Sequence, residues 1–117
     1  MDSILTSIKK MLGIEETYTH FDADIIFHIN TTMSILSLLG VGDKNFSIED
    51  KTAEWSDYLS DMTNLEMIKS YIYMKVKMIF DPPSSSAVIE VMKVQIAELE
   101  WRINALVDPG KEEVTNE

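Results

Sequence analysis

The chain has 117 residues and no cysteine, which excludes disulfides, thiolate metal sites and cysteine nucleophiles. Basic residues are scarce: 10 Lys and Arg stand against 20 Asp and Glu, and the formal net charge is -10. Such a surface repels phosphate, which argues against DNA or RNA binding by a basic patch. The longest apolar runs, residues 25–29 and 35–41, fall far short of a bilayer span. We therefore expect a soluble protein without membrane contact.

The remaining composition is sufficient for one folded domain. Hydrophobic residues make up 45% of the chain, which is enough to form a core at this length. We expect a single helical domain over residues 1–108. Residues 109–117 are polar and acidic, and we expect them to form a disordered tail. The N-terminus lacks the basic and apolar pattern of a secretory signal, so we expect synthesis in a cytosol.

Apolar periodicity predicts an all-α fold: a small bundle of about four helices over roughly 3–12, 22–39, 63–80 and 86–106, with a possible short helical segment near 50–60. The segment near 50–60 could equally be an ordered loop pinned by Trp55. One face of the helix at 22–39 is lined by Ile25, Ile29, Met33 and Leu36. Ser3 and Asp22 are predicted N-caps, and capping boxes are predicted at 47–50 and at 63–66. Glycines at 13, 40 and 42 suit helix ends. Two prolines and three serines at 82–86 predict a sharp turn followed by a capped helix.

The last two predicted helices are apolar over much of their circumference. The helix at 63–80 carries two neighbouring stripes, Leu65, Ile68, Ile72, Val76 and Ile79 in one and Met67, Tyr71, Met74 and Met78 in the other. The helix at 86–106 also carries two, Met92, Ile96, Leu99, Ile103 and Leu106 in one and Val91, Val94, Trp101 and Ala105 in the other. Helices of this kind are either central in a fold or expose a patch to a partner.

Trp101 has two interpretations. In the first, it packs inside the domain on the helix at 63–80, near Tyr71 or Met74. In the second, it anchors a protein partner, because large aromatic side chains on a second apolar stripe are typical of interfaces. Periodicity alone leaves both open.

Catalytic and metal-binding patterns are weak. Asp24 and His28 lie four residues apart on a predicted helix, with His20 and Asp22 just before, and this spacing suits two ligands of one metal ion. Nothing else in the sequence completes a recognisable ligand set. Paired carboxylates such as Glu15 and Glu16 are better explained by a solvated surface. We therefore expect no enzyme and no cofactor.

Several segments follow one another in a distinctive order. The most specific are a tyrosine-rich helix at 68–75, the Phe-Asp-Pro-Pro break at 80–83 and the Glu-Trp-Arg sequence at 100–102, taken together. The others are 8–14, 21–22, 39–42 and a Trp-x-x-Tyr pattern at 55–58. This order resembles the small head-tail connector, or adaptor, proteins of long-tailed bacteriophages and prophages, and the resemblance covers essentially residues 3–106.

The resemblance implies a structural subunit of the phage neck, without catalysis or cofactor. About a dozen copies would form a ring beneath the portal protein, extend the channel through which the genomic DNA passes without sequence-specific binding, and join head to tail. The implied partners are the portal and the next neck or tail-completion protein, in a virion assembled in the bacterial cytoplasm. The candidate subunit-interface residues are Tyr71, Tyr73, Phe80, Trp101 and Arg102.

Two alternatives remain open. The acidic surplus and the helical content also suit a small binding or inhibitory module, such as a DNA mimic or a partner-masking protein. Such a module acts as a monomer or dimer against one target, whereas a connector closes a large ring. The other alternative is a small metalloenzyme that uses Asp24 and His28, which metal analysis of the purified protein would test.

Overall fold

The structure is a computed structural model that describes residues 3–107, and it is all-α over these residues, as predicted. Five helices follow one another along the chain: α1 (Ile4–Met11), α2 (Asp22–Leu38), α3 (Trp55–Tyr58), α4 (Leu65–Phe80) and α5 (Ser86–Val107). The predicted acidic tail at 109–117 lies outside the described residues. None of the helices between residues 3 and 107 combines the length and the hydropathy that a membrane span requires.

Helix α4 lies at the centre of the bundle and contacts α1, α2 and α5. Its residues Ile68, Tyr71, Ile72 and Val76 are buried. These buried residues come from both of the stripes predicted from the sequence. Helix α2 covers α4 with its own predicted face, whose buried members are Ile25, Ile29, Met33 and Leu36. The wide apolar circumference of α4 is therefore explained by its central position.

The long connection between α2 and α4 is fixed to α1 by Trp55. The Trp55 side chain is fully buried, and its Nε1 donates a hydrogen bond to Ser7 Oγ at 3.0 Å. One residue after the N-cap Ser3, the Ile4 amide donates to the carbonyl oxygen of Ala53 at 2.9 Å. The short helix expected near 50–60 is thus confirmed as the single turn α3, held by a buried aromatic side chain.

Ser3 is confirmed as an N-cap, because its Oγ accepts a hydrogen bond from the Thr6 amide at 3.1 Å. The prediction that Asp22 caps α2 is wrong: α2 begins without a side-chain cap, and the Asp22 carboxylate lies against Lys9 instead. A buried cation offers this carboxylate a charged partner, which is a stronger interaction than a neutral amide gives.

Both predicted capping boxes are also wrong. No helix begins at 47–50; the capping box of α3 is formed by Glu54 and Asp57. At 63–66, the Thr63 hydroxyl and amide donate to the Asp61 carboxylate at 2.6 and 2.9 Å, so α4 begins later, at Leu65. Short polar side chains compete for several nearby backbone groups, and here the turn preceding the helix is favoured.

Gly42, which follows α2, has a φ of +74°, a conformation that disfavours any residue with a side chain. A β-carbon at this position would overlap the ring of Tyr58. Gly40, directly after the last turn of α2, also has a positive φ of +98°, and the Val41 amide donates to the Leu36 carbonyl oxygen at 2.9 Å. The predicted role of Gly40 in closing α2 is therefore confirmed, and the close approach at Gly42 places Tyr58 of α3 beside the loop that follows.

Lys9 is a buried lysine that joins three segments. Its side chain is 3% exposed, and its ammonium donates to the carbonyl oxygens of Glu16 at 3.0 Å and Tyr18 at 2.7 Å. The same ammonium lies 2.8 Å from Asp22 Oδ1. A buried charge needs several polar partners, and Lys9 finds them in the segment between α1 and α2 and at the start of α2. These contacts hold that segment against α1.

We predict that Lys9→Met lowers the free energy of unfolding by about 2–3 kcal/mol, because it leaves two carbonyl oxygens and a partly buried carboxylate without their donor. Urea denaturation followed by circular dichroism measures this loss. Lys44→Met, at an exposed lysine in the loop after α2, is the matched control and should change stability by less than about 0.5 kcal/mol. Equal effects of the two substitutions would contradict the role assigned to Lys9.

Candidate interaction surface

Helix α5 packs on α4 through one of its two apolar stripes. Met92 and Ile103 are buried there, and Ile96 and Leu99 are partly buried against the core. The turn before the helix is closed by Ser85, whose Oγ accepts a hydrogen bond from the Val88 amide at 3.4 Å. The stripe of α5 that begins at Met92 is therefore the one that faces the bundle, except that Leu106 at its end is exposed.

The second apolar stripe of α5 faces away from the bundle. We call Val91, Val94 and Trp101 the outer stripe of α5; Val94 is 66% exposed and Trp101 is 64% exposed. The interpretation in which Trp101 packs inside the domain on α4 is wrong. An indole this exposed on an apolar helix face leaves a hydrophobic surface that the described residues do not cover.

Tyr71 lies in the core, where it joins α4 to α5. Its side chain is fully buried, and its hydroxyl donates to Glu100 Oε2 at 2.7 Å. Tyr73, two residues further along α4, is partly buried against the same core. Within a single subunit, these two candidate interface residues support the packing of the helices.

Phe80 lies at the far end of α4, in a group of aromatic side chains. Its ring meets that of Phe21 edge to face, with centroids 5.2 Å apart, and Phe21 also contacts His20 and Tyr18. Tyr18 is about half exposed. This group joins the end of α4 to the segment between α1 and α2. The half-exposed Tyr18 leaves aromatic surface at this end of the bundle.

Arg102 is exposed beside Trp101, and its guanidinium lies 2.8 Å from Glu98 Oε1, one turn earlier on α5. The structure thus brings Trp101 and Arg102 together on one exposed surface and places Tyr71, Tyr73 and Phe80 elsewhere. Contact of any of the five with a second subunit stays a prediction.

A second exposed apolar surface, on α2, was not predicted. We call Phe27, Thr31, Ser34 and Leu38 the outer stripe of α2; Phe27 is 67% exposed and Leu38 is 86% exposed. A signal for it is present in the sequence. Residues 25–42 contain no Asp, Glu, Lys or Arg, although a solvated helix face usually carries charge.

The proposed metal pair is not supported by the described residues. Asp24 is exposed and His28 is partly buried on α2, and no group of three or more potential ligands is found between residues 3 and 107. An open groove of about 880 Å³ beside α1 includes Lys9 and Asp22. Their contacts already serve the fold.

A family model described as phage connector protein matches residues 4–110. No curated protein and no solved structure matches the chain.

We predict opposite results for the two buried tyrosines on removal of the hydroxyl. Tyr71→Phe should lower the free energy of unfolding by about 1–2 kcal/mol, because the bond to the Glu100 carboxylate is lost. Tyr58→Phe should be neutral or stabilising, because the Tyr58 hydroxyl is buried without a hydrogen-bond partner among residues 3–107. Parallel urea denaturation of the two variants measures the difference. An equal loss in both would show that the Glu100 bond has no net effect.

We also predict that stability falls as the pH rises above about 10. Burial raises the pKa of Tyr58 and of Tyr71 above the ordinary value of about 10, and for Tyr71 the hydrogen bond and negative charge of Glu100 raise the pKa further. Above that pH the unfolded chain loses protons that the folded chain keeps, so unfolding becomes easier. Denaturation between about pH 8 and pH 11 measures the fall.

The double variant Tyr58→Phe/Tyr71→Phe should show a shallower fall over the same pH range. Tyr18→Phe is the matched control at an exposed tyrosine and should keep the slope of the unmodified protein. If the double variant loses stability as steeply as the control, the two buried hydroxyls are not the source of the pH dependence.

Proposed function

Because this chain belongs to the phage connector protein family, which its match over residues 4–110 shows, we propose that it is a structural protein of the phage neck. In this proposal the chain forms a ring beneath the portal, extends the DNA channel and joins head to tail. The observation that carries the proposal is the family match across nearly the whole chain.

The exposed surfaces of the subunit support assembly. The outer stripe of α5 exposes Val94 and Trp101 on either side of Glu98, and exposed apolar side chains grouped among polar ones are typical of protein interfaces. Rings form when one face of a subunit meets a different face of the next and the rotation closes. The proposed ring contains about a dozen copies, by analogy with the family.

The proposed partners are the portal protein on one side and the next neck or tail-completion protein on the other. The proposed location is the neck of the virion, after synthesis and assembly in the cytoplasm of the bacterial host. We assign the chain no catalytic step and no cofactor. Within the ring, Tyr73, Phe80 and Trp101 are proposed to contribute apolar contact, and Arg102 to pair with a carboxylate of a neighbour. Tyr71 is fully buried inside the subunit and is not assigned a contact with a neighbour.

The net charge of -10 bears on the passage of DNA. A channel wall rich in carboxylates offers phosphate no cationic contact and releases no counterions on approach, so DNA slides past it without binding. We propose that the acidic side chains of the subunit line the lumen. A ring with lysines along its lumen and carboxylates on its outside would overturn this.

The first test is the native mass of the purified protein over a concentration series, with and without the portal protein of the same phage, together with negative-stain images. We expect closed rings of about twelve subunits, at the latest when portal is present. A monomer or dimer that never forms rings, with or without portal, would overturn the connector function. A tight complex of that monomer or dimer with a single other target would instead favour the acidic binding module.

We predict that Trp101→Ala raises the protein concentration required for ring assembly at least tenfold. The same substitution should lower the melting temperature of the monomer by no more than a few degrees. The indole is largely exposed in the subunit, so its loss creates no cavity in the core. Sedimentation and thermal denaturation measure the two effects. Tyr18→Ala, at an exposed aromatic residue in the segment between α1 and α2, is the control for a general loss of exposed apolar area.

Two results would contradict the role proposed for Trp101. If Trp101→Ala unfolds the monomer, the indole belongs to the core of the subunit. If it leaves assembly unchanged, the outer stripe of α5 is not part of the ring contact.

A further inference from the structure

The subunit exposes two apolar helix surfaces, the outer stripe of α2 and the outer stripe of α5. We propose that the outer stripe of α2 on one copy of the chain docks against the outer stripe of α5 on the next copy, with the two helices antiparallel. The proposal rests on the ring of the proposed function and names the two surfaces that build it.

Charge selects a second copy of this chain as the occupant. The whole chain carries -10, so most of its surface repels another copy. The outer stripe of α2 lies in a segment, 25–42, without Asp, Glu, Lys or Arg. On α5 the exposed charges cancel, because Glu90 and Glu98 are balanced by Lys93 and Arg102, each within 4.0 Å of its acidic partner. These are two surfaces on which an equally acidic copy meets no net repulsion.

Shape selects contact between unlike stripes. The outer stripe of α2 has small residues, Thr31 and Ser34, between the large side chains of Phe27 and Leu38. It therefore forms a shallow hollow, into which a raised row of side chains fits. The Thr31 hydroxyl already donates to the Phe27 carbonyl oxygen at 3.0 Å, so covering it leaves no donor unpaired.

Contacts between like stripes are poorer. Two copies of the outer stripe of α2 would face each other hollow to hollow and leave a void. Two copies of the outer stripe of α5 would bury both Glu98 carboxylates in one contact, at the cost of their hydration. The unlike contact is heterologous, and a heterologous contact is the type that generates a ring.

Equal spacing sets the register, and charge sets the direction. Phe27 and Ser34 are separated by seven residues, as are Val94 and Trp101, and seven residues span about two helical turns, so the two pairs can face each other in either direction. Only the antiparallel direction brings Arg102 near a carboxylate of α2. Placing Trp101 opposite Phe27 therefore places Val94 opposite Ser34. In the same register Arg102 falls near the exposed Asp24, which lies one turn before Phe27 on α2. Arg102 thereby gains the carboxylate of a neighbour expected from the sequence.

The absence of cysteine from the chain permits a direct test by disulfide cross-linking. The double variant Ser34→Cys/Val94→Cys changes two exposed positions, so the subunit should fold normally. We expect mild oxidation of its rings, assembled with portal where needed, to give a ladder of covalent dimers, trimers and larger species on non-reducing gels. Each single variant should give no ladder, and a mixture of the two single variants should give dimers only.

The matched control is Ser34→Cys/Ser60→Cys, which moves the second thiol to an exposed position in the loop before α4. An equal ladder from this control would overturn the docking, because cross-linking would then be non-specific. Dimers from either single variant alone would overturn it in favour of a two-fold contact between like stripes.

The test separates this inference from the proposed function. Rings that form normally but give no ladder from Ser34→Cys/Val94→Cys would overturn the docking surfaces and leave the connector function intact. Failure of the unmodified protein to form rings, even with portal present, would overturn both.

Discussion

The apolar circumference of α4 is the constraint on which the rest of the structure depends. One helix cannot cover two neighbouring apolar stripes, so α1 and α2 pack on α4 together with α5. The short turn after Phe80, with its two prolines, returns the chain directly onto α4. Since α5 is itself apolar on two faces and only one of them meets α4, its outer stripe remains in water. The exposed indole of Trp101 thus follows from how α4 is covered.

Much of the fold could be predicted from the sequence, because helical periodicity records which side of a helix is buried. The buried face of α2 and most of that of α4 were predicted, although Ile79 of the main predicted stripe of α4 is exposed, and Ser3 was correctly placed as a cap. The caps predicted at Asp22 and at 63–66 failed because the polar side chains had other partners within reach, and no helix begins at 47–50. A side chain such as Asp22 can accept from a local amide or from a distant cation, and only the folded structure shows that Lys9 is buried beside it.

The candidate surface was less predictable, because exposure is a property of what remains after packing. The sequence pattern of an apolar stripe is the same whether or not a neighbouring helix covers it. Both interpretations of Trp101 were therefore compatible with the sequence, and only its exposure in the structure distinguishes them. The outer stripe of α2 was missed altogether, since Phe27 and Leu38 look like ordinary members of an apolar helix. The informative feature was the missing charge across residues 25–42.

The same charge distribution has a consequence for when the proposed ring would form. Subunits that each carry -10 repel one another at a distance, whereas the docking proposed between α2 and α5 acts only at contact. A surface that holds several subunits side by side raises their effective concentration and offsets this repulsion. The portal would supply such a surface in the proposed neck. Acidic subunits with neutral docking faces would then stay apart in solution and form a ring only on the portal. Without portal, raised salt would favour ring formation because it screens the repulsion between subunits.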